Sequence, residues 1–245
     1  MLSTQVPLAQ AHDPEGSPVS RGPAHEPEAF VGEIERDLLR SLARLGEQAR
    51  AAITDAVPLA EMLSAILRDQ IEAAEVEALW LTDEPDLDLR LGLARLVGDE
   101  ARHFSMLADR IRELGTEPRA DPRIRAHGPL FRYLRGLQTP AERLAAGLAR
   151  EAVARLRNAL VAEVARARGD DATARLCIEG AGEDEVRHLE FFRRELVRYA
   201  LTIEGQDAAR RAMARTVQLA EEATDSSRSA KATPAAPAEP PAPGR

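Results

Sequence analysis

One five-residue pattern, Asp-Glu-x-Arg-His, occurs twice: "DEARH" at 99–103 and "DEVRH" at 184–188. Each copy sets a glutamate three residues before a histidine, Glu100 before His103 and Glu185 before His188. Both pairs interrupt apolar stripes. The first stripe is Leu93, Val97, Glu100, His103, Leu107, Ile111, Leu114. The second is Cys177, Ala181, Glu185, His188, Phe192, Leu196, Tyr199. Steps of three and four put each series on one face of a helix. A carboxylate on a buried face costs roughly several kcal/mol unless its charge is compensated. Two helices with the same burden call for a cation between them, and Glu and His at i, i+3 project to one point, as metal ligands must. A lone Glu-x-x-His is more often a surface coincidence. Two copies with the same flanks on buried stripes argue instead for a two-metal site.

Such a site in a helical bundle takes one further carboxylate from each facing helix. Glu151 qualifies on one of them, because it shares a stripe with Leu144, Leu148, Ala154, Asn158 and Ala162. On the other, Glu72, Glu75 and Glu77 compete. Glu72 shares a face with Met62, Ala65, Asp69, Val76 and Leu79 and is the expected ligand. Glu75 is a candidate extra carboxylate at the pocket edge, and Glu77 is expected to face water. The expected ligands are therefore Glu72, Glu100, His103, Glu151, Glu185 and His188. Ligating imidazoles donate their second N–H to a carboxylate, a role open to Asp99 and Asp184 within a helix or across to the other copy. Arg102 and Arg187 can balance those aspartates by charge-assisted pairing. Six oxygen and nitrogen ligands suit two iron ions, with manganese as the alternative, whereas zinc prefers fewer ligands and more sulfur or nitrogen. Reduced ions of this kind react with O2 or peroxide.

The elements that must position these residues are helical. Ala, Leu, Arg and Glu dominate the 245 residues, and no β-branched alternation long enough for a sheet stands out. Residues 1–27 and 223–245 are expected to be a disordered arm and a disordered Pro/Ala-rich tail, around a helical domain at 28–222. Helices are expected at about 28–53, 58–81, 87–115, 129–137, 140–168, 171–203 and 206–222. Pro58, "TDEPD" at 82–86 and "TPAE" at 139–142 supply start signals, and Gly115, Gly169 and Gly205 supply stops. The last helix reads as amphipathic and peripheral. Short turns join the second helix to the third and the fifth to the sixth, with a long crossover over 116–128. Two antiparallel hairpins joined by a crossover is the connectivity of a ferritin-like four-helix bundle, here spanning 58–203.

At the repeated motif the sequence resembles the ferritin-like di-iron carboxylate superfamily, and its form is similar to that of the bacterial di-iron monooxygenases. The stretches "DEARHF" at 99–104 and "REAVAR" at 150–155 also resemble the tRNA isopentenyl-adenosine hydroxylases. The resemblance covers 58–203 and implies iron as the bound metal, O2 as oxidant, and hydroxylase or oxygenase chemistry. It implies a small-molecule or tRNA-borne substrate. For tRNA, the segment from Arg110 to Arg135 offers seven arginines against three acids. Against general nucleic-acid coating stands a formal charge of −8. No CxxC pair for a rubredoxin-type iron is present, so electrons would come from an external donor protein.

Two other functions compete. A ferroxidase or peroxidase of ferritin or rubrerythrin type would need an acidic channel, weakly suggested by Glu75 and Glu183. An oxygenase needs an apolar cavity, suggested by Gly147, Ala154, Gly180, Ala181 and Gly182. A metal-free helical interaction module is the third reading. Gly180 and Gly182 could also permit a π-bulge beside the motif. Trp80, Tyr133 and Tyr199 are candidate electron relays, although packing is their commoner role. Cys177, the only cysteine, is expected to be a buried small apolar residue, and its solitude allows no internal disulfide. His12, His25 and His127 fall in arms or loops and are poor ligands. No stretch reads as a signal peptide or membrane span, so the expected location is the cytoplasm. A homo-oligomer is suggested by apolar faces on the first and last helices.

Overall fold

The computed structural model describes residues 24–53, 57–118 and 128–232. Among them the chain is all-helical and holds no strand. Helix α1 spans Pro27–Ala52, α2 Leu59–Asp83, α3 Leu87–Glu113, α4 Pro129–Arg135 and α5 Pro140–Ala167. The expected single helix at 171–203 is three pieces: α6 (Asp171–Arg175), a π-helical segment (Leu176–Gly180) and α7 (Gly182–Tyr199). Helix α8 spans Ile203–Ala232.

Local chemistry explains the boundaries. The Leu89 N–H donates to Asp86 Oδ1 at 3.0 Å and starts α3. Thr139 and Glu142 form a reciprocal capping box ahead of α5, with Pro140 in its first turn. Gly115 and Gly169 take φ of +77° and +74°, left-handed conformations that let α3 and α5 end without strain on a side chain. The π segment sits where Gly180 passes Met106: a Cβ there would lie 2.5 Å from Met106 Cε.

Helix α2 packs along α3, α5 packs along α7, and smaller contacts join α2 to α5 and α3 to α7. Two apolar clusters lie at opposite ends of this arrangement. One holds Val76, Trp80, Leu89, Leu93, Leu144, Leu148, Phe192 and Leu196. The other holds Leu63, Leu67, Leu107, Ile111, Val161, Ala165 and Cys177. Between them, on all four helices, runs a layer of buried polar residues that includes the glutamate and the histidine of both motif copies.

Two expectations are corrected. Helix α8 is not peripheral: it lies along α5 and α1 and sends Ala209, Ala212, Met213 and Val217 into the larger cluster. The apolar faces of α1 and α8, read from sequence as surfaces for an oligomer, are thus covered within one chain. Helix α8 also continues past residue 222 to Ala232, through sequence that contains no proline before Pro234. At the other end, helix begins at Pro27, and the His25 backbone is tied to Gln206 by hydrogen bonds of 3.0 and 2.7 Å. Residues 1–23, 54–56, 119–127 and 233–245 lie outside the described residues. With them lie His12, His127, most of the expected crossover and most of both expected tails. Among the described residues no helix is long and apolar enough to cross a membrane.

Candidate metal centre

The polar layer is built by four helices. Helix α3 supplies Glu100 and His103, and α7 supplies Glu185 and His188, each about 2 % exposed. Helix α5 supplies Glu151 and Asn158, and α2 supplies Gln70 and Glu77. Five of the six expected ligands are therefore buried in one layer. Glu72 is not among them: it is half-buried, and Glu75 is exposed. The expectation that Glu77 faces water is overturned, since Glu77 is fully buried. The inward stripe of α2 is Leu63, Leu67, Gln70, Ala73, Glu77, Trp80, offset from the stripe expected through Glu72. Trp80 was the signal available in the sequence. The largest apolar side chain of the helix marks its buried face, and Glu77 sits three residues before it.

The two histidines are held by crossed pairs. His188 Nε2 on α7 lies 3.1 Å from Asp99 Oδ2 on α3, and His103 Nε2 on α3 lies 2.9 Å from Asp184 Oδ2 on α7. Of the arrangements open in sequence, the aspartates thus act across the helix pair. Arg102 pairs with both Asp99 and Asp184, and Arg187 pairs with Asp184. Each imidazole then turns Nδ1 inward. His188 Nδ1 lies 3.2 Å from Glu151 Oε2, and His103 Nδ1 lies 3.3 Å from Gln70 Oε1. The ring centroids are 6.1 Å apart.

Sequence reasoning missed Arg150. Its side chain is 12 % exposed and reaches Glu77 and Glu151, with Glu100 Oε1 3.5 Å away. One guanidinium thus compensates part of the charge of three carboxyls. Asn158 donates to Glu185 Oε1. Even so, Glu77 Oε2, Glu100 Oε2 and Glu185 Oε2 are buried with no hydrogen-bond partner among the described residues. Glu100 Oε2 lies 3.5 Å from His103 Nδ1. Buried oxygens left in this way cost roughly 1–3 kcal/mol each, more if charged.

Proton affinities respond accordingly. Burial pushes Glu77 up to about 8 against the pull of Arg150, with Glu100 and Glu151 adding to the rise. Burial and the Glu151 charge push Glu185 up to about 7. Glu151 is also buried, but Arg150 and His188 outweigh burial and hold it below the carboxylate range. Burial works against the His188 cation, yet the Glu151 and Asp99 contacts and the Glu100 charge raise it to about 9. A proton on His188 therefore occupies the place between Nδ1 and Glu151 that a metal cation would take. Glu100, Glu151 and His188 each offer one ligand atom, and all three atoms lie within 4.8 Å of one another.

A cavity of about 10 Å³ adjoins this layer, lined by Ile66, His103, Met106, Leu107, Asn158, Leu176, Cys177 and Ala181. It has room for about one water-sized molecule. Burial pushes the Cys177 thiol up to about 12, so it stays protonated. Trp80 donates to the Leu134 carbonyl at 3.2 Å inside the apolar cluster, a packing role.

Comparison with family models, with curated proteins and with solved structures finds no match, and the meaning of the site rests on its own geometry.

Proposed function

We propose that the chain is a ferritin-like bundle that binds a pair of iron ions in its polar layer and works as an O2-dependent oxidoreductase. The hairpin pairing of α2 with α3 and α5 with α7 supports the bundle. The observation that carries the metal reading is the set of buried carboxylate oxygens without partners in the layer that holds both histidines. The donors are oxygen and nitrogen only, which suits iron or manganese better than zinc.

Glu100, Glu151 and His188 would hold one ion, and Glu185 and His103 the other. Bound iron would supply electron transfer to O2. The chain's own residues prepare the place. Asp99 and Asp184 accept the Nε2 hydrogens and so keep each Nδ1 lone pair inward. Arg102 pairs with both aspartates. The two apolar clusters exclude water above and below the layer. The small cavity at His103 has room for about one water-sized molecule, so an organic substrate would have to meet the site from outside the layer. An external donor would supply electrons.

A ferroxidase or peroxidase is the second reading, favoured by the small size of that cavity, which suits O2 or peroxide better than an organic substrate. Arg150 favours the third, a metal-free module, because it brings a positive charge of its own. One guanidinium, however, leaves three carboxylate oxygens unanswered. For a tRNA-borne substrate, Arg110 is paired with Asp170 and Glu113 and Arg112 with Asp109, whereas Arg132 and Arg135 of the same segment are exposed.

The test is an anaerobic Fe²⁺ titration of chelator-treated protein, followed by O2 and an optical spectrum. Two irons per chain and a new near-ultraviolet band on oxygenation are expected. A His103→Ala/His188→Ala double variant should lose both. Uptake that is absent, or equal in wild type and double variant, overturns the metal reading.

A further inference from the structure

The polar layer is two half-sites built to one plan. In the first, Asp99 of α3 holds His188 of α7, and the inward nitrogen of that imidazole meets Glu151 of α5. In the second, Asp184 of α7 holds His103 of α3, and the inward nitrogen meets Gln70 of α2. The aspartates, the histidines and the distances correspond. The facing group differs, a carboxylate in one and an amide in the other, and Glu100 Oε2 lies further off, 3.5 Å from the His103 nitrogen. Gln70 is as enclosed as its counterpart, at 4 % exposed against 1 % for Glu151. It is therefore a built member of the second half-site.

The substitution changes what a cation meets. A carboxylate brings a full negative charge and two oxygens, whereas an amide brings one neutral oxygen. Affinity for a hard divalent cation depends on the number of charged ligands. The half-site at His188 has Glu151 facing the imidazole, with Glu100 beside it, and the one guanidinium there, Arg150, is shared among Glu151, Glu100 and Glu77. The half-site at His103 has Gln70 in that place, and the carboxyl on its cavity side, Glu185, already accepts a hydrogen bond from Asn158, which lines the cavity with His103. It also borders the cavity, so fewer protein donors fill the space around it.

We propose that the two metal positions are unequal, with the Glu100–Glu151–His188 position filling first and tightly, and the Gln70–His103 position filling second and weakly. Gln70 then decides whether the centre holds one cation or two at a given metal concentration. This rests on the metal reading above and adds an order of filling to it.

The experiment uses full-length, chelator-treated protein and Mn²⁺ alone, added without oxygen, with free Mn²⁺ followed by electron paramagnetic resonance. Wild type should take up two equivalents, the first about tenfold or more tighter than the second. Gln70→Glu should tighten the second equivalent by about tenfold and leave the first within about twofold. Glu151→Gln should weaken the first. Gln70→Ala, which adds no charge to the layer, should leave the first equivalent in place and weaken the second, and far-ultraviolet circular dichroism confirms that each variant is folded. Two equal equivalents in wild type, or a second equivalent unmoved by both Gln70 substitutions, overturn the inequality while leaving the metal reading intact. No Mn²⁺ uptake by wild type overturns both.

Discussion

Helices α3 and α7 bring the same residues to corresponding places, whereas α2 and α5, which face them, do not. Asp99, Glu100, Arg102 and His103 have counterparts in Asp184, Glu185, Arg187 and His188, and the two aspartates exchange histidines across the helix pair. Facing them, α5 offers Glu151 and Arg150 where α2 offers Gln70 and Glu77. A repeated motif can therefore set the positions of two imidazoles and leave the charge around each to its facing helix. That charge decides how strongly each half holds a cation.

The largest way to break this comparison is through Arg150, which belongs to α5 and has no equivalent on α2 among the residues of the layer. Arg150→Met removes the only guanidinium shared by Glu77, Glu100 and Glu151 and should destabilise the metal-free protein by about 3–5 kcal/mol at pH 8. Urea unfolding measures this. Much of the loss should return on lowering the pH to 5, where the carboxyls can protonate, and a loss that is the same at both values would contradict the role assigned to Arg150.

Next in size are the crossed aspartates. Asp99→Asn should weaken the cation held at His188, on the other helix, by about 10–100-fold, and Asp184→Asn should do the same at His103. Competition with a chelator reads the effect. If each substitution instead weakened the cation at the histidine of its own helix, the crossed arrangement would be wrong.

The metal-free protein should also depend on pH. Glu77 and Glu185 keep their protons in the fold to about 8 and 7, against an ordinary value of 4.5 in the unfolded chain. His188 keeps its proton to about 9, against 6.5. Between roughly pH 5 and 9 the folded chain thus binds more protons than the unfolded one, so its stability should fall as pH rises. Glu151 opposes this only at the acid end, where its stabilising contribution is lost as pH falls through its lowered value. Thermal melts from pH 5 to 9, with and without bound metal, test the sign. Metal should flatten or reverse the slope, because cations favour the ionised carboxyls and the neutral imidazoles.

The smallest effect separates two glutamates of α2. Glu72→Gln should change stability by no more than about 0.5 kcal/mol and leave metal uptake as it was. Glu77→Gln should shift the pH profile, since it removes the group pushed highest in the layer. A loss of metal on replacing Glu72, with no effect of replacing Glu77, would restore the expected stripe of α2 over the observed one.

The all-helical fold was legible because its signals are local. Asp86, Thr139 with Glu142, Gly115 and Gly169 act within a few residues of themselves, and they end or begin helices where the sequence predicts. The stripes of α3, α5 and α7 were legible for the same reason: a long apolar series with a three-and-four step admits one face. Helix α2 was harder. Alanines and glutamates alternate through "QIEAAEVEALW", so two neighbouring stripes fit nearly as well, and the sequence does not say which faces α3 and α5. The last helix was misjudged as peripheral because its many alanines carry little hydropathy each, yet they let it approach α5 closely.

By itself, the sequence determined that two helices would carry carboxylate and imidazole on buried faces, because residue type and helical period suffice for that. Only the tertiary structure decided which aspartate serves which histidine, that Gln70 and Glu77 enter the layer from α2, and that Arg150 joins them. Those are contacts between residues about 30 to 90 positions apart. They depend on the rotation of each helix about its own axis, and packing against neighbours fixes that rotation where local propensity does not.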